Sequence, residues 1–298
     1  GFSAPVQEGK EYYFAGWADS KTGNATYADG QTINIDANGE NVLYAVWVEK
    51  TEITLVANSG TRTYNGVEQS IEGFESTTMN GYTVSGLTAV TKGTNVGEYP
   101  MNVQSSDFTN NSHNFTNVTF IIEDGSLKIT PKSIVPSETN GMEVTGPADT
   151  KYNGDEQKLT PVVKDQGKVL TENVDYKLSY TGDTTNVGTV KITIKGKGNY
   201  NGSTEVSYKI TKRSVTLTSA TDSKVYDKDP LTNHNVAVGG DGFVKEEGAT
   251  YNVTGSQTSV GESDNEFTYT LKSNTKAENY NITTHNGKLI GHNKFGWG

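Results

Sequence analysis

Two short phrases recur along this chain at a spacing for which a single globular core has no use. Thr63-Tyr64-Asn65-Gly66 is answered by Lys151-Tyr152-Asn153-Gly154 and by Val225-Tyr226-Asp227-Lys228. Each is followed some tens of residues later by a second phrase: Thr94-Asn95-Val96-Gly97, Thr185-Asn186-Val187-Gly188, and a looser Thr258-Ser259-Val260-Gly261. A unit of roughly 80 residues is therefore used three times in tandem, after a shorter and different unit. A chain of 298 residues is long for one core and suits an array of modules.

Hydrophobic residues make up 32% of the chain and mean hydropathy is -0.61, values that would suggest disorder in a helical protein. Here the 16 Tyr and the many Val, Ile and Thr sit in alternating runs, which is strand composition. Runs of this kind recur at intervals of about 8 to 12 residues between Asn, Gly and Asp turns, and no helical period is sustained. The expected fold class is all-β: a small β-grasp-like module and three immunoglobulin-like β-sandwich modules. Thin sandwiches have much surface for their core, so a polar composition fits them.

Charge narrows the function. There are 25 basic and 35 acidic residues, a net charge of -10, and the arginines are Arg62 and Arg213 alone. That balance argues against nucleic-acid binding, which needs clustered Lys and Arg on one face. Cysteine is absent, which excludes disulfides, thiol nucleophiles and cysteine metal sites. No stretch approaches the roughly 18 apolar residues of a membrane span, and nothing resembles a signal peptide. A chain that starts at Gly1 without Met is expected to be an excised piece, with any export or anchoring signal outside it.

Residues 1–49 carry Phe14-Ala15-Gly16-Trp17 and the closing Leu43-Tyr44-Ala45-Val46-Trp47. These motifs resemble the B-repeat of listerial internalins, the Listeria-Bacteroides repeat, a small β-grasp-like module of surface proteins in Firmicutes. Members of that family usually begin with a further strand and a Tyr-x-x-Asn-Gly-Gly type turn, which this unit lacks. Residues 50–132 run from Ile53-Thr54-Leu55-Val56 through Tyr82-Thr83-Val84-Ser85 and Phe115 to Ile122, closing on Asp124-Gly125-Ser126-Leu127-Lys128-Ile129. This order resembles the MBG family of bacterial immunoglobulin-like repeats, found in large surface proteins and adhesins. Residues 133–212, with Gly196-Lys197-Gly198-Asn199-Tyr200 and the terminal Tyr208-Lys209-Ile210, resemble a second common bacterial immunoglobulin-like repeat. Residues 213–291 return to the first type, with Val215-Thr216-Leu217-Thr218 and Asn286-Gly287-Lys288-Leu289-Ile290. Residues 292–298 are read as a tail.

The recurring residues have a local physical role. Asn-Gly suits positive φ at the two central positions of a hairpin, which sets the register of the flanking strands. A Tyr before each turn can bury its ring while its hydroxyl reaches backbone at a sandwich corner. These residues are read as fold determinants.

No catalytic, cofactor-binding or metal-binding residue is assigned. His113, His234, His285 and His292 have no metal-ligand spacing and read as loop histidines. The acidic pairs Glu246-Glu247 and Glu262 with Asp264 fall in stretches that read as loops, and similar repeats offer no obvious deep pocket. Calcium is a minor alternative, through Asp227, Asp229, Asp241 and Asp264, although the D-x-[DN]-x-[DN]-G loop is absent. A Lys–Asn isopeptide bond is a further alternative for which composition carries no signal. Trp17 and Trp47 read as packing residues, and Trp297 lies in the tail.

The resemblances imply a non-enzymatic segment of a bacterial surface protein, extracellular and of Gram-positive type, acting as a semi-rigid stalk or adhesin region. The short linkers Pro131-Lys132-Ser133 and Thr211-Lys212-Arg213 fit limited slack between modules. Two alternatives stand beside it: a binding module for a host glycoprotein, immunoglobulin or glycan, and an accessory region of a large secreted carbohydrase or peptidase. Lysines within strands argue against edge-to-edge self-association, so the segment is expected to be monomeric, with no membrane insertion.

Overall fold

The computed structural model describes residues 3–75, 84–85, 89–110 and 118–294. Among these the protein is all-β: many small sheets, and two single-turn 3-10 helices at Ser105–Asp107 and Ala277–Asn279. No described helix is long and apolar enough to cross a membrane. The chain forms two compact units, Gly1–Lys132 and Ser133–Gly298.

In the first unit, Glu11–Ala18 lies antiparallel to Tyr44–Val56, with a bulge between Phe14 and Gly16. The bulge explains the glycine of the F-x-G-W motif. Gly16 has φ +137, and a Cβ there would stand 2.6 Å from the Tyr27 carbonyl oxygen. The chain returns at this point, with the Trp17 amide donating to Tyr27 (2.9 Å) and the Tyr27 amide donating back (3.0 Å). Phe14 meets Trp17 and Trp47 edge-on at 5.2 and 5.5 Å, the favoured aromatic geometry.

The Tyr44–Val56 strand continues past residue 49 without a break. Its run, YAVWVEKTEITLV, holds no Gly, Pro, Asn or Asp to stop it. Its second half pairs in parallel with Val118–Glu123, from Thr51 opposite Val118 to Val56 opposite Glu123. The sequence boundary at residues 49 and 50 thus falls inside one strand, and a continuous strand rather than a loop joins the first module to the next.

That parallel pair then changes sheets together. After the break, Gly60–Thr63 pairs with Ser126–Thr130, and each residue still faces the one 67 positions further on, Gly60 with Leu127 as Thr51 with Val118. The last module repeats this register. Arg213–Ser219 runs parallel to Tyr280–His285, and Asp222–Val225 to Lys288–His292, again with partners 67 apart. Glycine marks both crossings, because the neighbouring backbone comes too close for a side chain. A Cβ on Gly125 would stand 2.3 Å from the Asn58 carbonyl oxygen, and one on Gly287 2.4 Å from those of Ser219 and Ala220.

The apolar faces of these strands make the cores. Ile53, Leu55 and Phe108 are buried with Phe74, Val103, Phe120 and Ile122 around them. In the last module Val215, Leu217 and Leu289 are fully buried. The middle module sets Thr150–Lys151, Ser203–Thr211, Gly188–Gly196 and Tyr176–Thr181 in one sheet, and Met142–Thr145, Val162–Asp165 and Lys168–Val169 in another. Val163, Val190, Ile192, Ile194, Tyr208 and Ile210 are buried there. Its parallel partners are 60 apart, Thr150 with Ile210, a different module from its neighbours.

Several sequence expectations need correction. The Asn-Gly phrases do not close two-residue hairpins. Gly60–Thr63 and Gln69–Glu72 flank the first one and pair with different strands. Only the glycine takes positive φ, +81 at Gly66 and +84 at Gly154. The asparagine acts through its side chain: Asn65 Oδ1 accepts from the Val67 amide (3.1 Å) and Asn153 Oδ1 from the Asp155 amide (2.9 Å), an Asx turn. The Tyr152 hydroxyl goes to a carboxylate rather than to backbone, and corner-type bonds are made by Tyr99 to the Asn95 carbonyl (2.8 Å), by Tyr180 to that of Leu159 (2.8 Å) and by Tyr208 to that of Gln157. The tail begins one residue later than expected, since His292 ends a strand opposite Val225. Tyr82, Thr83, His113, the run from Phe115 to Asn117 and Trp297 lie outside the described residues.

Candidate functional site

The most developed polar constellation lies inside the second unit, where the module ending at Thr211 meets the one starting at Arg213. Only Lys212 separates Ser203–Thr211 from Arg213–Ser219. The joint is built around the Tyr of the recurring phrase. Its position is set by backbone, since the Tyr152 amide donates to the Thr211 carbonyl at the end of the last strand (2.9 Å). Its ring is 3% exposed and meets the Tyr280 ring edge-on at 5.7 Å. Tyr280 is buried too and packs on Phe243 at 5.1 Å.

One carboxylate joins the two rings. The Tyr152 hydroxyl donates to Glu247 Oε1 at 2.6 Å, and the Tyr280 hydroxyl donates to Glu247 Oε2. The Val244 amide donates to the Tyr280 hydroxyl (3.1 Å), so that oxygen both gives and receives. Burial, and then the carboxylate that accepts their hydrogen bonds, push Tyr152 up to about 12 and raise Tyr280 as well. Both are therefore neutral donors at ordinary pH. Hydrogen bonds to a charged acceptor contribute about 1.5–3 kcal/mol each, so these bridges outweigh the exposed ion pair nearby.

A second seam uses Asn279, which is 1% exposed. Its Oδ1 accepts from the Val187 amide (2.9 Å), and its Nδ2 donates to Asn186 Oδ1 (2.9 Å). Asn186 is held in turn by Asp183, whose carboxylate accepts from the Asn186 side chain (2.7 Å) and from the amides of Thr185 and Asn186. Those donors, the Asn186 side chain foremost, bring Asp183 down to about 2.

Arg213 staples the linker. Its Nε donates to the Gly242 carbonyl (2.8 Å), Nη2 to that of Asp241 (2.7 Å), and Nη1 to that of Tyr152 (3.5 Å). Lys151 Nζ pairs with Asp241 at 2.8 Å. Lys151 chiefly holds the Asp241 carboxyl below its usual range, helped by the Ser214 amide. Gly154 lies against the next module, and a Cβ there would stand 2.7 Å from Val244 Cγ1. In its second copy, the Tyr152-Asn153-Gly154 phrase is thus the face of one module that meets the next.

Sequence reasoning singled out Tyr152, Asn153, Gly154, Asn186 and Val187 as fold determinants; in the structure Tyr152, Gly154, Asn186 and Val187 also belong to the joint. It named Glu247 only as half of an acidic pair and Arg213 only as part of a linker, and it passed over Asn279 and Tyr280. The signal available for these two was the dipeptide Asn-Tyr, at Asn199-Tyr200 and again at Asn279-Tyr280, each leading into a late strand.

Other acidic candidates are engaged by lysines. Asp227 pairs with Lys224 (2.8 Å), Asp264 with Lys288 (2.8 Å) and Asp241 with Lys151. Glu262 also reaches Lys288, at 3.6 Å. Among the described residues no three His, Cys, Asp or Glu are grouped to hold a metal. His234 Nδ1 lies 3.2 Å from the Val253 carbonyl, and His285 and His292 sit in strands. As for isopeptide chemistry, the buried Asn265 and Asn279 use their amide nitrogens as hydrogen-bond donors, Asn265 to the carbonyls of Ala220 (3.0 Å) and Asn233 (2.8 Å). Phe14, Trp17, Asp29 and Trp47 line an open cleft of about 270 Å³.

No protein-family model matches the chain, and no curated protein matches it significantly.

Proposed function

We propose that this chain is a non-enzymatic, semi-rigid segment of a bacterial cell-surface protein, a stalk that sets the distance and orientation of what it carries. The observation that carries the reading is the joint at Tyr152, Glu247, Asn279 and Tyr280. A flexible string of domains would join its modules by a polar linker of several residues. This joint has a one-residue linker, two buried aromatic rings and a shared carboxylate, all of which oppose hinge motion. The likeness of residues 1–49 to the internalin B-repeat, and of the later modules to MBG-type repeats, supports a place on the cell surface.

The test is orientational. Residual dipolar couplings of amides in 133–212 and in 213–292 are expected to fit one alignment tensor with one magnitude. Two tensors of different magnitude would mean independent tumbling and would remove the stalk reading.

A second reading, binding of a glycan or glycoprotein, has one observation in its favour. Aromatic rings beside a carboxylate, as at Phe14, Trp17, Trp47 and Asp29, suit the apolar face and hydroxyls of a sugar ring. A pull-down from mucosal secretion and serum, against an unrelated immunoglobulin-like array, separates the two. A saturable partner lost in Trp47→Ala favours binding, and capture equal to the control favours the stalk.

A further inference from the structure

We propose that the exit pole of the last module, formed by Val225, Tyr226 and Val260, is a docking face for a further immunoglobulin-like module that presents an Asn-Tyr pair and a carboxylate. The inference rests on the stalk reading above and extends it to a second joint.

The pole repeats the backbone of the internal joint. The Tyr152 amide donates to Thr211 (2.9 Å) and the Tyr226 amide to His292 (2.9 Å), each the last residue of its module's last strand. Gly188 pairs with Ile210, and Gly261 pairs with Gly291, one residue before that end in both modules. The Asx turn recurs as well, with Asp227 Oδ1 accepting from the Asp229 amide (3.0 Å). Tyr226 and Val260 therefore hold the places of Tyr152 and Val187.

Cover is what differs. Tyr152 is 3% exposed beneath the following module, whereas Tyr226 is 37% exposed, and Val225 and Val260 are each 53% exposed. Single exposed apolar side chains are ordinary. Here Val225 and Tyr226 lie at the close of one strand and Val260 at the opening of another, the two strands flanking Lys288–His292, and the place of Tyr226 is the one where the preceding module buries Tyr152; together the three form a patch of the kind that marks an interface. Val225 faces His292 and Gly261 faces Gly291 on the two sides of the last strand, which places the three at one end of that sheet.

The partner's chemistry follows from the substitutions. At the internal joint Gly154 abuts Val244, and a Cβ would stand 2.7 Å from it. Lys228 occupies that place here, so the docking module must offer room or a carboxylate where the internal joint has valine. Lys151, which meets Asp241, is replaced by Val225, so an apolar contact replaces that ion pair. An Asn opposite the Val260 amide and a Tyr–acid pair opposite Tyr226 complete the match.

The experiment extends the protein. A copy of residues 213–292 is appended directly after Asn293, so that Asn293 takes the place of Lys212, in two forms carrying Val244→Asp or Val244→Ala. Amide hydrogen exchange is then read at Val260, with Val187 of the internal joint as reference. Protection of Val260 by tenfold or more over the unextended chain, abolished by Asn279→Ala in the appended copy alone, is the expected result. The appended copy is counted as folded when its own Leu217 amide is protected; at least one form must pass. Unchanged Val260 exchange beside a folded copy and a slow Val187 overturns the docking face and leaves the stalk reading in place. Fast exchange at both amides removes both. Concentration-dependent dimerisation of the unextended chain, lost in Val260→Asp, would put a second copy on the patch and also overturn the proposal.

Discussion

Lys228 shows how much one residue in a recurring turn can carry. Its φ is +78, in the left-handed region that Gly66 and Gly154 occupy in the sister turns. A residue with a Cβ is strained there by about 1–2 kcal/mol relative to the right-handed region, and glycine recovers part of that at an entropic cost in the unfolded chain. Lys228→Gly is therefore expected to stabilise the last module by about 1 kcal/mol, read as a higher denaturant midpoint with unchanged slope. Gly154→Lys should do the reverse and more, because its Cβ would also press on Val244. At the joint, Tyr152→Phe keeps the ring contact with Tyr280 and removes one of two hydroxyl donors to Glu247. The expected loss is about 1.5–3 kcal/mol, or roughly a ten- to hundredfold rise in Val187 amide exchange at a tenfold per 1.4 kcal/mol. An unchanged rate would show that the hydroxyl contributes nothing to closure.

At the level of strands, the sheet switch is the device that the two similar modules share. A parallel pair leaves one sheet and enters the other with its register intact, and the crossing backbones touch at Gly125 and Gly287. Gly287→Ala would force a methyl group to 2.4 Å from two carbonyl oxygens. Backbone cannot yield as a side-chain end can, so a loss of about 3 kcal/mol or more is expected, with the last module unfolding first in a denaturant series. Nearby, Ser219 Oγ donates to the Asn265 carbonyl (2.5 Å) and accepts from the Gly287 amide (2.9 Å), which makes the crossing a buried polar hub as well. The strands themselves were legible in the sequence, since Ile53 to Val56 and Val215 to Thr218 alternate and are bounded by turn residues. The switch was not, because Asp124-Gly125 and Asn286-Gly287 read like any other turn. What makes glycine obligatory there is a strand 67 residues away. The joint was hidden for the same reason: Tyr152 and Glu247 are 95 residues apart, and only the fold decides whether a Tyr hydroxyl ends on its own backbone or on a neighbour's carboxylate.

Across the two modules of the second unit, the joint should respond to pH in a direction set by its tyrosines. In the unfolded chain a tyrosine titrates near 10; in the joint, burial and Glu247 raise Tyr152 to about 12 and raise Tyr280 too. A group whose folded value is raised contributes stability that is complete below its unfolded value and is lost as pH rises through the folded one. Closure is therefore constant from neutrality to about pH 10 and weakens between about 10 and 12. On the acid side Asp183, lowered to about 2 by its Asn186 and backbone donors, contributes stability present above about 4 and lost as pH falls through about 2. The Lys151–Asp241 pair is half exposed, and such pairs contribute about 0–1 kcal/mol, so high salt at neutral pH should leave the joint closed. Spin labels on the two modules would read this directly. A narrow distance distribution is expected from pH 4 to 10 and at high salt, broadening above pH 10. In Tyr152→Phe with Tyr280→Phe the alkaline broadening should disappear, because no hydroxyl remains to ionise against Glu247. If the double variant broadens at the same pH as the parent, the alkaline opening belongs to another group and the tyrosine–carboxylate bridge does not govern the joint.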